Sequence, residues 1–451
     1  MSPTQTIAEF ITRYDRNDLS QEALERAKVS IMDYVGVTLA GISEESSVIV
    51  RRIITGMGGK PQATVWGSDL KTSVMLAALA NGTAAHALDY DDTNAVMMAH
   101  PSIQLLPALF ALGEYEHLTG EEVILAYVVG FEVGARLGRA LNPNFVIQGW
   151  FPVGPLGVLM QTAACSKLLG LDSDQIRMAL GLATNLASGL RCNNGTMAKP
   201  LMSGSAASNA ILASLLASEG MSASESALED RFGFFENFSR GDMTRLEQAV
   251  ESLGAPLEIL HSGISYKLYP CCAGTHTAID CALDIAQNYS LNVDNIEEIE
   301  VSITSGVKYL LIHPRPKTET EAKFSLEYCV ARAILDGQIG LDQFTSEKIE
   351  DPALQTLIKK VKPNYGDQRS LSVEIQVRMN SGDTYSSQVT EAKGTPGNPL
   401  NWPDLEQKFQ QCAKSLLSDE EVRQTLEQLK HFERLQDVAQ FVATFIQTGS
   451  Q

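Results

Sequence analysis

The chain has 451 residues, with 54 acidic against 35 basic side chains, a formal net charge of −19 and 44% hydrophobic residues. That balance excludes a nucleic-acid-binding surface, which needs clustered Lys and Arg against phosphate, and argues equally against adsorption to anionic membranes. A small anionic substrate stays open, because it needs only a few local cations.

The length predicts about two or three domains. The N-terminal stretch has no basic segment followed by an apolar core, so no signal peptide is expected. No uninterrupted apolar run of about 18 residues stands out, so no membrane-spanning helix is expected. Seven scattered cysteines without a CxxC pair predict reduced thiols, no zinc site and a cytoplasmic location. The first 263 residues are rich in Ala, Leu, Gly and Met and predict a nearly all-helical domain. Thr119 with Glu122, and Asp172 with Gln175, are capping-box pairs that open helices. The Ala- and Ser-rich segment Ser203 to Ser218 predicts a helix that packs closely against others, with Lys199-Pro200 just ahead of it. After residue 263 the pattern changes. Ile296 to Ile303 reads as a strand, and Leu371, Val373, Ile375, Val377 and Met379 alternate strictly. Asn380 to Asp383 supplies a turn, and Thr384 to Val389 returns as the second arm of a hairpin. Helices are predicted over Thr275 to Gln287 and Ala322 to Leu335. Pro396, Pro399 and Pro403 end this part, and Ser418 caps a C-terminal helix. The fold class is therefore mainly α with an inserted α+β domain. Residues 1–263 and 401–451 form the helical domain, and 264–400 the α+β domain.

Three polar clusters carry candidate chemistry. The first runs from Asn81 to Thr93, with His86, Asp89, Asp91 and Asp92, and continues to His100 and Ser102. It reads as an acid-capped helix end, as a cleft of paired acids and imidazoles, or as an oxygen-rich metal site from His86, Asp89, Asp91 and His100. The second is Asn193 to Pro200, where Lys199 near a helix start suits a carboxylate. The third is Tyr266 to His276, a Pro-Cys-Cys-Ala-Gly turn bracketed by Lys267 and His276. It lies where the two domains meet in the sequence.

Together these clusters resemble the MmgE/PrpD family. The stretch from His86 through Asp89, Asp91, Asp92 and Thr93 to His100-Pro101-Ser102 resembles its first signature. Gly195 to Leu201, Lys267 to His276 and Glu321 to Tyr328 are similar to three more. The resemblance implies a large helical domain, a smaller α+β lid domain and a homodimer. It implies a cofactor-independent lyase acting on a small di- or tricarboxylate, with no metal, no nucleic acid and no membrane partner. An epimerase of an iminodisuccinate-type dicarboxylate, or an inactive member that binds a carboxylate, are the alternatives. Asp89, His100, Lys199 and Lys267 are then the catalytic candidates. His86, Thr93, Ser102, Arg191, Tyr269, Cys272 and His276 are candidates for substrate binding.

Three positions depart from the family pattern: Phe151, Met202 and Cys272 stand where relatives carry histidine. Fewer hydrogen-bond donors hold fewer carboxylates, which points to a smaller or less charged acid. The chemistry expected is proton movement at the carbon beside a carboxylate. Lys199 and Lys267 would stabilise enolate-like charge, and His100 or Asp89 would serve as base. On so acidic a protein, a substrate anion also requires a locally positive pocket.

Overall fold

The computed structural model describes residues 1–239, 243–366 and 372–446. The chain divides into two units, Met1–Ile264 with Trp402–Gln451, and Ser265–Asn401.

Helices α1 (Gln21–Gly41), α2 (Val74–His86), α3 (Gly120–Leu141), α4 (Pro155–Leu168) and α5 (Ala198–Ser218) frame the first unit. Their starts are locally encoded. Ser20 and Ser73 accept from the first-turn amides of α1 and α2, and Thr119 forms a capping box with Glu122. The Asp172–Gln175 box likewise opens a helix at Ser173, and the Ser418–Glu421 box opens Asp419–Lys430.

Small residues decide how close the frame helices come. A Cβ on Gly82 of α2 would lie 2.8 Å from Gly204 Cα of α5, and one on Gly204 would lie 2.1 Å from the Leu79 carbonyl oxygen. A Cβ on Gly41 of α1 would lie 2.0 Å from the Ala84 carbonyl oxygen. Backbone-to-backbone approach at these points leaves no room for any side chain. Helix α5 is long and apolar enough to cross a membrane by length and composition, yet half of its most apolar window is buried in this unit.

The C-terminal return completes the unit. In the helix Trp402–Ala413, Phe409 and Cys412 pack over Gly36 of α1. A short antiparallel ladder, Ala63–Thr64 with Lys71–Thr72, interrupts the otherwise helical first half. Two residues per strand are too few for alternation to show in the sequence.

The second unit is a four-stranded sheet with helices. Its strands are β1 (Ile296–Thr304), β2 (Val361–Gly366), β3 (Val373–Met379) and β4 (Thr384–Val389), in the order β2-β1-β3-β4. Ile299 of β1 sits between Val361 of parallel β2 and Val377 of antiparallel β3, and Val377 pairs with Tyr385 of β4. Val373, Ile375, Val377 and Met379 are buried on one face of β3, as their alternation requires; Leu371 lies outside the described residues. Strand β2 was not expected. It is an edge strand containing Pro363, with one buried residue, Val361, so it lacks a clear pattern. The helix expected over Ala322 to Leu335 is two pieces, Glu319–Ala322 and Leu326–Asp336, because Ser325 caps a new start by accepting from the Tyr328 amide.

Candidate active site

Helix α2 ends at His86, and the chain then turns through Asp89, whose φ of 52° is left-handed. Asp tolerates this region better than most residues, and such strain persists where the surroundings over-determine it. The surroundings here include Lys199, whose ammonium is bonded to Asp89 Oδ1. Both side chains are buried. Lys199 lies inside the first turn of α5 and not ahead of it. Pro200 is tolerated there because first-turn amides have no intrahelical partner. The Gly82–Gly204 crossing holds the end of α2 beside the start of α5, and so brings Asp89 and Lys199 together.

Asp91 lies between two imidazoles. Its Oδ1 and Oδ2 lie 3.0 and 3.1 Å from His86 Nδ1, and its Oδ2 is also 2.8 Å from His100 Nδ1. The two rings are 4.6 Å apart at 63°. Burial lowers the His86 pKa to about 4, with Lys199 adding to the effect and Asp91 opposing it. Burial would raise the Asp91 carboxyl, but the two imidazoles together hold it well below the usual range. The adjacent Asp92 behaves oppositely. Burial and the charge of Asp33 push it well above the usual range, against two hydrogen bonds from Ser102.

Ser102 is fully buried. Its amide donates to Asp92 Oδ1 at 3.0 Å, its Oγ is 2.5 Å from Asp92 Oδ2, and Tyr127 Oη is 3.0 Å away. Its hydroxyl is thus engaged within the protein. Thr93 is half-buried beside the Asn94–Ala99 bridge. Arg191 braces a neighbouring loop: its amide donates to the Gly149 carbonyl and its Nη1 to that of Val146, both at 2.9 Å.

That loop carries Phe151. Its ring stacks on His86 at 6.4 Å, lies 6.5 Å from His100, and has Lys199 Nζ 5.8 Å from its centroid. Gln104 ties the loop to His100, accepting from the His100 amide at 3.0 Å and donating to the Pro152 carbonyl at 3.2 Å. Met202 lies against Gly189. Beneath the motif, buried Lys408 donates to Asp33 Oδ1 at 2.6 Å and to the Tyr90 carbonyl at 2.8 Å. Sequence reasoning missed Lys408 and Asp33, since nothing local marks a pair 375 positions apart.

His86, Asp89, Asp91 and His100 offer ligand atoms within 4.8 Å of one another. Asp89 is bonded to Lys199 and Asp91 lies against the two imidazoles, so both carboxylates already have partners within the protein. The positive charge of Lys199 is matched by Asp89. The surplus of positive charge expected of the pocket is therefore not supplied by Lys199.

The third cluster lies in the second unit. Lys267 is buried, at 2% exposure. Tyr269 Oη donates to Asp280 Oδ1 at 2.5 Å, and the Tyr269 ring meets His276 edge-on at 5.1 Å. His276 Nε2 is 3.3 Å from the Cys271 carbonyl, and the Cys272 amide donates to that of Lys323 at 2.9 Å. Burial would raise the Cys271 thiol, but hydrogen bonds from Cys329, His276 and Thr275 bring it down to about 5, while Cys329 is pushed up.

Residues 5–247 match the MmgE/PrpD N-terminal domain and residues 269–432 the MmgE/PrpD C-terminal domain. The chain is 30% identical to a human protein named cis-aconitate decarboxylase, over 97% of this chain and 93% of the relative. It is 27% identical to a cis-aconitate decarboxylase of Aspergillus terreus, over 96% and 94% respectively. A mitochondrial 2-methylcitrate dehydratase of Yarrowia lipolytica is 22% identical over 79% of this chain and 71% of its own length. The two matches cover the signatures read from the sequence except Lys267 and Leu268, which stand just before the second, and the chain belongs to the MmgE/PrpD family as an enzyme of its lyase type.

Proposed function

We propose that this protein is a lyase of a small di- or tricarboxylate that moves a proton at the carbon beside a carboxylate. One observation carries the reading: a buried Lys199–Asp89 ion pair stands beside an imidazole pair that shares Asp91. A buried ammonium is suited to stabilise charge developing on an enolate-like intermediate. Of the two imidazoles, His100 is the more exposed, with 12% of its side chain accessible against 0% for His86. It is the residue we assign to take or give the proton. Loss of CO₂ from a cis-aconitate-type acid, followed by protonation of the carbon, fits this equipment, and so does loss of water. Lys267 enters the proposal from its motif, as a second cation for the substrate.

Phe151 supports a second reading. Its hydrocarbon ring beside both imidazoles offers no hydrogen bond to a further carboxylate, which favours a dicarboxylate and leaves room for epimerisation of an iminodisuccinate-type acid. An NMR screen in D₂O with cis-aconitate, 2-methylcitrate and N-substituted aspartates tests both. Product formation from an aconitate or citrate supports the lyase; deuterium uptake without net product supports the epimerase. Neither with any acid would overturn the proposal. We further propose a homodimer, to be checked by light scattering on the purified protein.

A further inference from the structure

Between the end of α2 at His86 and the next helix at Leu106, no helix or ladder strand holds the chain, and His100 lies in this stretch. Two ties close it into a loop. In the inner tie, the Asn94 amide donates to the Ala99 carbonyl at 2.9 Å and the Ala99 amide to that of Asn94 at 3.4 Å. At the neck, Asp92 holds Ser102 twice: Oδ1 accepts from the Ser102 amide at 3.0 Å, and Oδ2 from its hydroxyl at 2.5 Å. His100 and Pro101 are the two residues between the ties. Neither has much freedom of its own, since proline fixes its φ and turns the residue before it away from the helical region. Gln104 takes up the His100 amide. The far end of the loop is anchored too: Asn94 Nδ2 donates to Ser262 Oγ at 3.0 Å and to the Gly263 carbonyl at 2.7 Å, both in the same unit.

We propose that Asp92 and Ser102 are positioning residues for proton transfer: their two-pronged clamp closes the neck of the loop and holds the His100 ring against Asp91. This rests on the assignment of His100 above. Asp92 follows Asp91 directly in the chain, so the clamp fixes residue 102 beside the carboxylate that the His100 ring faces. The clamp is itself seated on α3, where Tyr127 Oη lies 3.0 Å from Ser102 Oγ, and all three residues are fully buried. Buried hydrogen bonds of this kind hold geometry well, because no water stands ready to replace a lost partner. Ser102 thus acts through His100 and does not touch the substrate, in place of the binding role that its motif suggested.

The test compares Ser102→Ala, Asp92→Ala and Asp92→Asn in the full-length protein by two readouts. The first is the rate at which diethylpyrocarbonate modifies His100, followed by peptide mass spectrometry with the exposed His117 as internal reference. Loosening the neck should speed that modification about fivefold in Ser102→Ala, which loses one hydrogen bond, and about 25-fold in Asp92→Ala, which loses two. The second is kinetics with whichever acid the D₂O screen identifies. There kcat should fall about 10-fold in Ser102→Ala and about 100-fold in Asp92→Ala, with KM within about threefold, as misplacement of a reacting group does. Asp92→Asn keeps an oxygen for the Ser102 amide and offers an N–H to its hydroxyl, so it should recover most of both losses. A raised KM with unchanged kcat in Ser102→Ala means that the hydroxyl meets substrate, and overturns the proposal. Folded alanine variants in which His100 is modified at the wild-type rate overturn it as well. If Asp92→Ala does not fold, Ser102→Ala decides on both readouts. The modification needs no substrate, so a wild type that leaves every acid unchanged counts against the lyase reading and not against the clamp.

Discussion

The polar cluster of the helical unit and that of the α+β unit are built in opposite ways. In the first, Lys199 meets Asp89 across 110 positions and Lys408 meets Asp33 across 375, and all four are buried. In the second, Lys267, Tyr269, Cys272 and His276 fall within ten residues of one turn, braced by single hydrogen bonds such as Tyr269–Asp280 and the Cys272 amide on the Lys323 carbonyl. The difference teaches where function and stability are coupled. A buried ion pair cannot lose one partner without leaving an uncompensated charge. A turn held by several separate hydrogen bonds can lose one contact and keep its shape.

Substitutions in the helical unit should therefore have the largest effects. Lys199→Ala is expected to lower turnover of whichever acid the D₂O screen identifies by about 100- to 1,000-fold, as loss of a preorganised charge does, and to destabilise by about 3–5 kcal/mol. Adding Asp89→Asn should restore part of the stability and none of the activity, as read by thermal melts and the same NMR assay. His100→Ala should cost about 100- to 10,000-fold in kcat with little change in melting temperature. Lys408→Met should destabilise by about 3–5 kcal/mol because it leaves Asp33 buried without its cation. A melting temperature equal to wild type would dissolve the contrast between the two clusters.

The acid side of the stability profile sharpens the comparison within the helical unit itself. His86 is held near 4 when folded against 6.5 unfolded, so only the unfolded chain gains a proton as pH falls below 6.5. Its contribution, up to about 3 kcal/mol, is complete above pH 6.5 and is lost on falling to 4. Asp92, raised on folding, works in the other direction: it favours the folded state in acid and disfavours it as pH rises through the unfolded carboxyl range. Asp92→Asn should remove that opposing slope. The variant is expected to be at least as stable as wild type at pH 7 and to lose stability more steeply between pH 6.5 and 4 in denaturant titrations. The smallest effect belongs to the α+β unit. Tyr269→Phe removes one hydroxyl contact to Asp280 and should cost about 1 kcal/mol; a loss as large as that of Lys199→Ala would erase the distinction.

Much of this was legible in the sequence. The capping boxes at Thr119, Asp172 and Ser418, the alternation of β3 and the four family signatures depend on residues a few positions apart, and local chemistry suffices to place them. Strand β2 was not legible, because an edge strand with a proline and one buried residue has no pattern until β1 pairs with it. The polar residues of the first cluster could be named from the sequence, but not who holds whom. That Asp89 takes Lys199, that Asp91 is shared by two imidazoles, and that Ser102 is turned into Asp92 follow from where helices α2 and α5 cross, and that crossing is set by two glycines 122 positions apart with no room for a side chain between them. By itself, then, the sequence determined the family, the mainly helical class with its smaller α+β part, and the residues of interest. Only the tertiary structure decided their pairings and protonation, because both depend on burial and on charges brought close from remote parts of the chain.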